Sequence, residues 1–244
     1  MPQILGLSHG HDLPGQLADC RTDRSGQRVD VSLHLVTVED ARPFGCVPTD
    51  EVGRVLDFVE KSDNPVTNQI NAGCYVFRRD VIDTIPAGQV VSVERETFPG
   101  LVAGGRLVVG FVESAYWRDV GTPEALVAAS RDVVLGVAPT PAVAAAPPAR
   151  VHASAEVHGA VGGGSLVMAE ARVAAGAQVT GSVLMTGARV EEGATVTDSA
   201  VGPGAVVGAG AVLMRVTLGD DAEVAAGVTV TAGERIECAA RVTG

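Results

Sequence analysis

Small and aliphatic residues recur every seventeen positions in the last part of the chain. Four columns keep this spacing through four copies: Val173, Val190, Val207 and Val224; Ala171, Ala188, Ala205 and Ala222; Gly176, Gly193, Gly210 and Gly227; Val179, Val196, Leu213 and Val230. Within each copy the apolar residues are about six apart, which suits one short strand plus a corner. Three such units make one coil, with aliphatic side chains inside and glycine at a turn. The pattern predicts stacked parallel coils that begin near Val151 and fade after Ile236.

The preceding residues instead alternate predicted strands and helices, which is typical of a mixed α/β sheet with helices on its faces. The pattern predicts strands at residues 30–38, 71–78 and 106–113, and helices at residues 11–22, 79–85, 93–103 and 122–136. The last helix is the clearest, because Thr122 can cap it, Pro123 suits its first turn and Glu124 favours its dipole. A stretch rich in proline and alanine at 137–150 predicts a linker, so domains are expected at 1–136 and 151–244.

Alanine, valine and glycine supply most of the apolar content, which is 46% of the chain against 3% aromatic residues. A formal net charge of −11 argues against a nucleic-acid backbone as partner but leaves room for a phosphorylated small molecule. The four cysteines form no C-x-x-C pair, and no secretory or membrane-spanning segment is recognisable. We therefore expect a cytoplasmic protein with reduced thiols that binds neither nucleic acid nor membrane.

Four short segments with an ordered spacing stand out before the repeat, together with a fifth at Ser92–Pro99. The four are Phe44–Asp50, Phe58–Lys61, Asn68–Phe77 and Trp117–Pro123. In this order they resemble the second half of the sugar-1-phosphate nucleotidylyltransferase domain. The segments Asn68–Phe77 and Ser92–Pro99 are similar to those of mannose-1-phosphate guanylyltransferases. The trailing repeat resembles the hexapeptide-repeat β-helix. The resemblance implies an α/β fold, a partial Rossmann-like nucleotide-diphospho-sugar transferase domain with a mixed sheet, followed by a left-handed parallel β-helix.

The resemblance also implies a reaction and a set of binding residues. In this family the phosphate oxygen of a hexose 1-phosphate attacks the α-phosphorus of an NTP and pyrophosphate leaves, so catalysis is positioning and charge stabilisation without a protein nucleophile. Gly45 matches a backbone contact to the sugar, Glu60 an acceptor of sugar hydroxyls, and Lys61 a contact to the 1-phosphate. Asn71 and Gly73 match positions near the sugar, where glycine lets a ligand approach the backbone.

Asp119 matches the family's metal-binding aspartate, which implies Mg²⁺ bound to phosphate oxygens. Trp117, the only tryptophan, is expected to pack in the core beside that loop. The family's glycine-rich NTP loop, of the form Gly-Gly-x-Gly-Thr-Arg, and its second metal aspartate have no counterpart in this chain, and Gly162–Gly164 inside the repeat is no substitute. We therefore expect an N-terminally truncated relative with weak or no independent catalysis.

Three functions remain open from the sequence. The first is that of an NDP-sugar-forming enzyme that uses NTP and a hexose 1-phosphate, with GDP-mannose as the expected product. Alternatively, the chain is an inactive regulatory or assembly subunit whose β-helix forms a homo-oligomer or binds a full-length homologue. The third is a hexapeptide-repeat acyltransferase that uses His152 or His158, although surface histidines are the simpler interpretation. The missing NTP loop favours the second function for this chain, and the sugar-site motifs favour the first for its descent.

Overall fold

The computed structural model describes residues 26–59, 61–138, 140, 147–231 and 233–244, so the helix predicted at 11–22 lies outside the described residues. The chain divides into two compact units between Trp117 and Arg118. This division precedes the predicted linker at 137–150, because the helix that follows Thr122 contacts strands of the second unit. The domain limits 1–136 and 151–244 stay a prediction from composition.

The described residues of the first unit form a three-stranded mixed sheet in the order β2–β1–β3, as the alternating pattern predicts. The strands are β1 (Val31–Thr37), β2 (Gln69–Phe77) and β3 (Val108–Glu113). Strand β1 pairs antiparallel with β2 and parallel with β3. The helices are α1 (Arg79–Ile82), a π-helical turn (Val93–Thr97) and α2 (Phe98–Ala103). The single helix predicted at 93–103 is therefore two successive helical segments.

Strand β1 lies between the other two strands and is buried on both faces. Leu33 and Leu35 lie in a cluster with Phe98 on one face, while Val36 lies in a second cluster with Ile70 on the other. A central strand covered on both sides has no solvent face, so even its polar positions are buried. His34, in the middle of β1, is consequently only 1% exposed.

The second unit is a parallel β-solenoid whose short strands form three sheets, matching the predicted coil of three strands. One sheet contains Ala149–Val151, Ser165–Val167, Val183–Leu184, Ala200–Val201, Thr217–Leu218 and Arg235–Ile236. The next contains Glu156–Val157, Arg172–Val173, Arg189–Val190, Val206–Val207, Glu223–Val224 and Arg241–Val242. The third contains Ala160–Gly162, Gln178–Thr180, Thr195–Thr197, Val212–Met214 and Thr229–Val230.

The seventeen-residue columns correspond to vertical stacks of residues in this solenoid. The valine, leucine and alanine columns are buried in one continuous core, and the four glycines have φ between 65° and 73°, which suits a corner. Register in the middle coils advances by seventeen residues, as in Leu166 to Val183. It advances by eighteen at the end, as in Glu223 to Arg241. The coils thus continue to Val242, beyond the predicted fading at Ile236, because the spacing changes there.

A buried serine column, which the apolar pattern did not predict, completes the corners between coils. The hydroxyl of each serine accepts the N–H of the equivalent residue one coil later, at 3.2 Å from Ser182 to Ser165, 3.1 Å from Ser199 to Ser182 and 3.0 Å from Val216 to Ser199. Each hydroxyl also donates to a nearby carbonyl oxygen. Because a buried backbone N–H must find an acceptor, these side chains substitute for carbonyls where the chain turns.

Helix α3 (Pro123–Val134) covers the outer surface of the first solenoid sheet. The Thr122 hydroxyl accepts the Ala125 N–H at 3.1 Å, as the predicted cap requires. Val127 lies in one apolar cluster with Val183 and Ala200 of successive coils. Among the described residues, no helix combines the length and the apolar character needed to cross a membrane.

We expect Leu213→Ala to lower the free energy of unfolding by about 3 kcal/mol, since it opens a cavity in the fully buried solenoid core. Met214 is the next residue on the same strand, but its side chain is exposed. Met214→Ala therefore serves as the matched control. Urea unfolding followed by circular dichroism measures both. Equal losses for the two variants would contradict the assignment of Leu213 to the interior.

Candidate functional site

A β-bulge in β2 organises the polar groups of the first unit. Leu33 pairs with Tyr75 and Leu35 pairs with Asn71, so β2 contains two more residues than β1 over this stretch. Gly73, at the centre of the bulge, has φ +85°, a conformation that other residues adopt only with strain. In a regular strand, residues four apart would lie about 13 Å from each other. The bulge brings the side chains of Asn71 and Tyr75 into direct contact instead.

Asn71 uses both ends of its side-chain amide within the bulge. Its Nδ2 donates to the Tyr75 hydroxyl at 2.6 Å and to Glu94 Oε1 at 2.5 Å. Its Oδ1 accepts the backbone N–H of Gly73 at 3.1 Å. The predicted site residues Asn71 and Gly73 are therefore hydrogen-bonded to each other, and Asn71 is also hydrogen-bonded to Tyr75 and Glu94.

Sequence reasoning did not single out Tyr75, although it lies in the same segment as Asn71, Asn68–Phe77. Burial raises the pKa of its phenol most, the Asn71 hydrogen bond lowers it, and the nearby Glu94 charge raises it further, for a net increase. The phenol is therefore protonated at neutral pH. Because its oxygen accepts from Asn71, its proton is available for another acceptor. The ring packs edge-on against Phe98 at 5.0 Å, which fixes its position.

Backbone hydrogen bonds bring the Gly45 segment beside two other predicted segments. Cys46 and Val59 exchange N–H···O bonds of 2.9 Å in both directions, and the Val47 N–H donates to Gln69 O at 2.9 Å. Gly45 itself has φ +79°, which favours glycine. Lys61, two residues after Val59, is exposed and is the only lysine of the chain. Glu60 lies outside the described residues, and its predicted contact with sugar hydroxyls stays a prediction.

Trp117 connects two of these segments rather than packing only in the core. Its indole Nε1 donates to the Ala72 carbonyl in the bulge at 3.4 Å. Its ring meets Phe44 edge-on, with centroids 5.8 Å apart. Trp117 is half-buried and packs against the cluster that contains Ala72. One side chain thus contacts both the residue before Gly45 and the residue before Gly73.

Asp119, the predicted metal ligand, belongs to the second unit. It is partly exposed, and its carboxylate lies close to Gly121, where a Cβ would come within 3.4 Å of Oδ1. Among the described residues, no group of three or more histidine, cysteine, aspartate or glutamate side chains could hold a metal ion. Mg²⁺ usually retains waters and takes one or two carboxylates plus substrate phosphates. The single accessible carboxylate of Asp119 could take that partial role. It could not hold the ion without substrate phosphates and water.

A buried histidine and a partly buried glutamate lie on the sheet next to the bulge. His34 Nε2 and Glu113 Oε2 are 3.1 Å apart, but the described residues give neither atom a hydrogen bond of good geometry. Burial lowers the pKa of His34 more than the Glu113 charge and contact raise it. His34 is therefore neutral in the folded protein at pH 7.

The two histidines of the first coils are on the solenoid surface. His152 and His158 are both exposed, and the His152 ring bonds to the Ser154 hydroxyl at 2.9 Å. His152 therefore has a local structural partner. The described contacts supply no additional group that would activate either ring for acyl transfer.

Two families match the chain. Residues 12–134 match the family described as nucleotidyl transferase, and residues 147–241 match the GlmU-like C-terminal hexapeptide family. The first match contains Gly45, Lys61, Asn71, Gly73 and Asp119. The second contains the solenoid.

The relatives that match include enzymes named for two sugar phosphates. A mannose-1-phosphate guanylyltransferase of Mycobacterium tuberculosis is 60% identical over 117 residues, which is 48% of this chain and 33% of that protein. A probable mannose-1-phosphate guanylyltransferase 3 of Arabidopsis thaliana is 34% identical over 43% of this chain and 31% of its own length. A glucose-1-phosphate adenylyltransferase of Mycobacteroides abscessus is 33% identical over 54% of this chain and 38% of its own. The chain spans about a third of the length of the relatives it matches.

We expect wild-type stability to fall more steeply than that of His34→Gln as the pH drops from 7.5 to 5.5. The unfolded His34 has the usual pKa of 6.5 and the folded one a lower value. Its neutral form therefore contributes fully above pH 6.5, and this contribution is lost as the pH falls below that value. Thermal unfolding of both proteins at several pH values measures the difference. Parallel pH profiles would contradict a buried neutral His34.

Proposed function

Because the chain belongs to the nucleotidyl transferase family, we propose that it supplies the hexose-1-phosphate site of an enzyme that transfers a nucleotidyl group from an NTP. The phosphate oxygen of the sugar attacks the α-phosphorus, and pyrophosphate leaves. Such a reaction requires the two substrates to be held in line and the phosphate charge to be balanced. The chain's own residues would bind and orient the sugar phosphate.

The observation that carries this proposal is the group of hydrogen-bonded residues at the bulge of β2. Asn71, Gly73 and Tyr75 present amide, backbone and hydroxyl groups at one point, and polar groups of these kinds bind sugar hydroxyls. Gly45 and Gly73, both at positive φ, leave backbone unshielded by a side chain. Lys61 provides a positive charge suited to the 1-phosphate.

Mannose 1-phosphate and GTP are the substrates we propose. The relative that is 60% identical is named a mannose-1-phosphate guanylyltransferase, whereas the glucose-1-phosphate adenylyltransferase reported above is 33% identical. The higher identity to the first of these relatives, over 117 residues, favours the same hexose in both proteins. GDP-mannose is then the product.

Mg²⁺ is the cofactor we propose, with Asp119 as one ligand. When bound, the ion would neutralise phosphate charge during the transfer. The role of Asp119 would be to hold the ion by one carboxylate, with substrate phosphates and water completing its coordination.

A second candidate function is assembly. Residues 147–241 match a hexapeptide family, and their regular coils offer a long surface of stacked strands. We propose that the solenoid joins copies of this chain, or joins it to a longer homologue that carries a glycine-rich NTP loop. Light scattering of the purified chain, alone and mixed with such a homologue, tests this function.

The principal experiment combines binding and turnover. Calorimetry with mannose 1-phosphate and glucose 1-phosphate tests the sugar site, and pyrophosphate release from GTP and mannose 1-phosphate with Mg²⁺ tests the reaction. Tight mannose 1-phosphate binding without turnover would favour the assembly function for this chain. Absence of binding by either sugar phosphate would refute the proposed sugar site.

We expect Asn71→Ala to weaken mannose 1-phosphate binding about tenfold or more, because it removes a direct contact and frees the Gly73 N–H. Asn64→Ala changes an exposed asparagine in the same unit and should leave the affinity unchanged. Calorimetry gives both dissociation constants. The same affinity in the two variants would exclude Asn71 from the site.

We also expect mannose 1-phosphate to protect Lys61 from acetylation by an amine-selective reagent. Since Lys61 is the only lysine, mass spectrometry can follow this one side chain, with the α-amino group as an internal control. Labelling of Lys61 should slow several-fold with the ligand, whereas labelling of the α-amino group should not. A Lys61 labelling rate that ignores the ligand would remove this residue from the proposed phosphate contact.

A further inference from the structure

We propose that Glu94 is a positioning residue that fixes the amide orientation of Asn71 in the proposed hexose-phosphate site. The inference rests on the proposed function for its consequence in binding, but its structural part stands on the contacts of Asn71 alone. Glu94 lies 23 residues after Asn71 in sequence, and its Oε1 accepts Asn71 Nδ2 at 2.5 Å.

The partners of Asn71 differ in whether they can tolerate a rotated amide. A carboxylate only accepts hydrogen bonds, and the backbone N–H of Gly73 only donates. Rotating the amide by half a turn would direct Oδ1 at the Glu94 carboxylate and Nδ2 at the Gly73 N–H. The Tyr75 hydroxyl accepts or donates, so it would permit either orientation. Glu94 and Gly73 together therefore select the observed one.

A short, well-bonded turn holds Glu94 in place. The Ser92 hydroxyl accepts the Arg95 N–H at 3.2 Å, and Glu96 Oε1 accepts the Ser92 N–H at 2.9 Å. The Thr97 N–H donates to Ser92 O at 3.2 Å, which closes the wider π-helical turn. Phe98, the next residue, is fully buried in the core. The two glutamates of the segment therefore have separate tasks, since Glu96 closes the turn and Glu94 reaches the bulge.

The fixed amide has a consequence for what the site offers a ligand. Both Nδ2 protons are committed, one to Glu94 and one to Tyr75, so Asn71 presents an acceptor oxygen rather than a donor. The Tyr75 oxygen already accepts from Asn71, so its own proton can be donated. Glu94, together with the Gly73 N–H, thus determines that Asn71 offers an acceptor and Tyr75 a donor, a pair suited to a sugar hydroxyl.

The experiment compares Glu94→Ala and Glu94→Gln with Glu51→Ala, which removes an exposed carboxylate elsewhere in the same unit. Calorimetry with mannose 1-phosphate measures binding, and amide hydrogen exchange by NMR follows the Gly73 N–H and the Asn71 side-chain amide. Glu94→Ala should weaken binding about tenfold, the loss expected for one hydrogen bond to a charged group. It should also speed exchange of the Gly73 N–H.

The glutamine variant retains an acceptor oxygen and should restore both readouts to within about threefold of the wild type. Glu51→Ala should match the wild type in both. Unchanged Gly73 exchange in Glu94→Ala would overturn the inference. If binding nevertheless weakened tenfold, Glu94 would act directly on the ligand instead of positioning Asn71. If the wild type binds no hexose 1-phosphate, the proposed function fails, while the exchange measurement still decides the role of Glu94.

Discussion

The two extra residues of β2, between the pairs Leu33–Tyr75 and Leu35–Asn71, determine which polar groups the first unit can bring together. In an unbroken strand, Asn71 and Tyr75 would be too far apart to touch. The bulge places them in contact, turns the Gly73 N–H toward Asn71, and exposes the Ala72 carbonyl to Trp117. The bulged strand pairs with β1, which is buried on both faces, so its neighbour is a packed strand that resists rearrangement.

The solenoid could be predicted from the sequence in most respects, because its interior repeats one environment in every coil. Inward positions demand aliphatic side chains and corners demand glycine, so the columns of Val173 and Gly176 are visible without a structure. The serine column was equally periodic but was not recognised, since a polar residue at a fixed spacing can as well be an exposed one. The three-dimensional structure shows that the hydroxyls of Ser182 and Ser199 accept buried N–H groups. The last coil departs from the seventeen-residue pattern because its spacing is eighteen, so the pattern alone predicts an earlier end.

The candidate site could be predicted only as a set of segments. Resemblance identified the Asn71 and Ser92–Pro99 segments, and backbone bonds bring the Gly45 segment against β2. The hydrogen bond from Asn71 to Tyr75 could not be anticipated, because a regular strand would place Tyr75 too far along the same face. The hydrogen bond from Asn71 to Glu94 could not be anticipated either, because Glu94 lies in a π-helical turn and not in the regular helix that the sequence predicts. The roles of Lys61 and Asp119 stay predictions, as do the truncated start and the weak catalysis expected from the missing loop.

Helix α3 links coils that the strands alone connect only to their neighbours. A solenoid held only by contacts between adjacent coils loses them one at a time from its ends. Here Arg131 pairs with Asp198 at 3.0 Å and Glu124 pairs with Arg235 at 3.1 Å, so one rigid rod is attached to coils that are not neighbours. Together with the apolar contact of Val127 with Val183 and Ala200, this attachment leads us to expect that the spanned coils unfold as one cooperative unit.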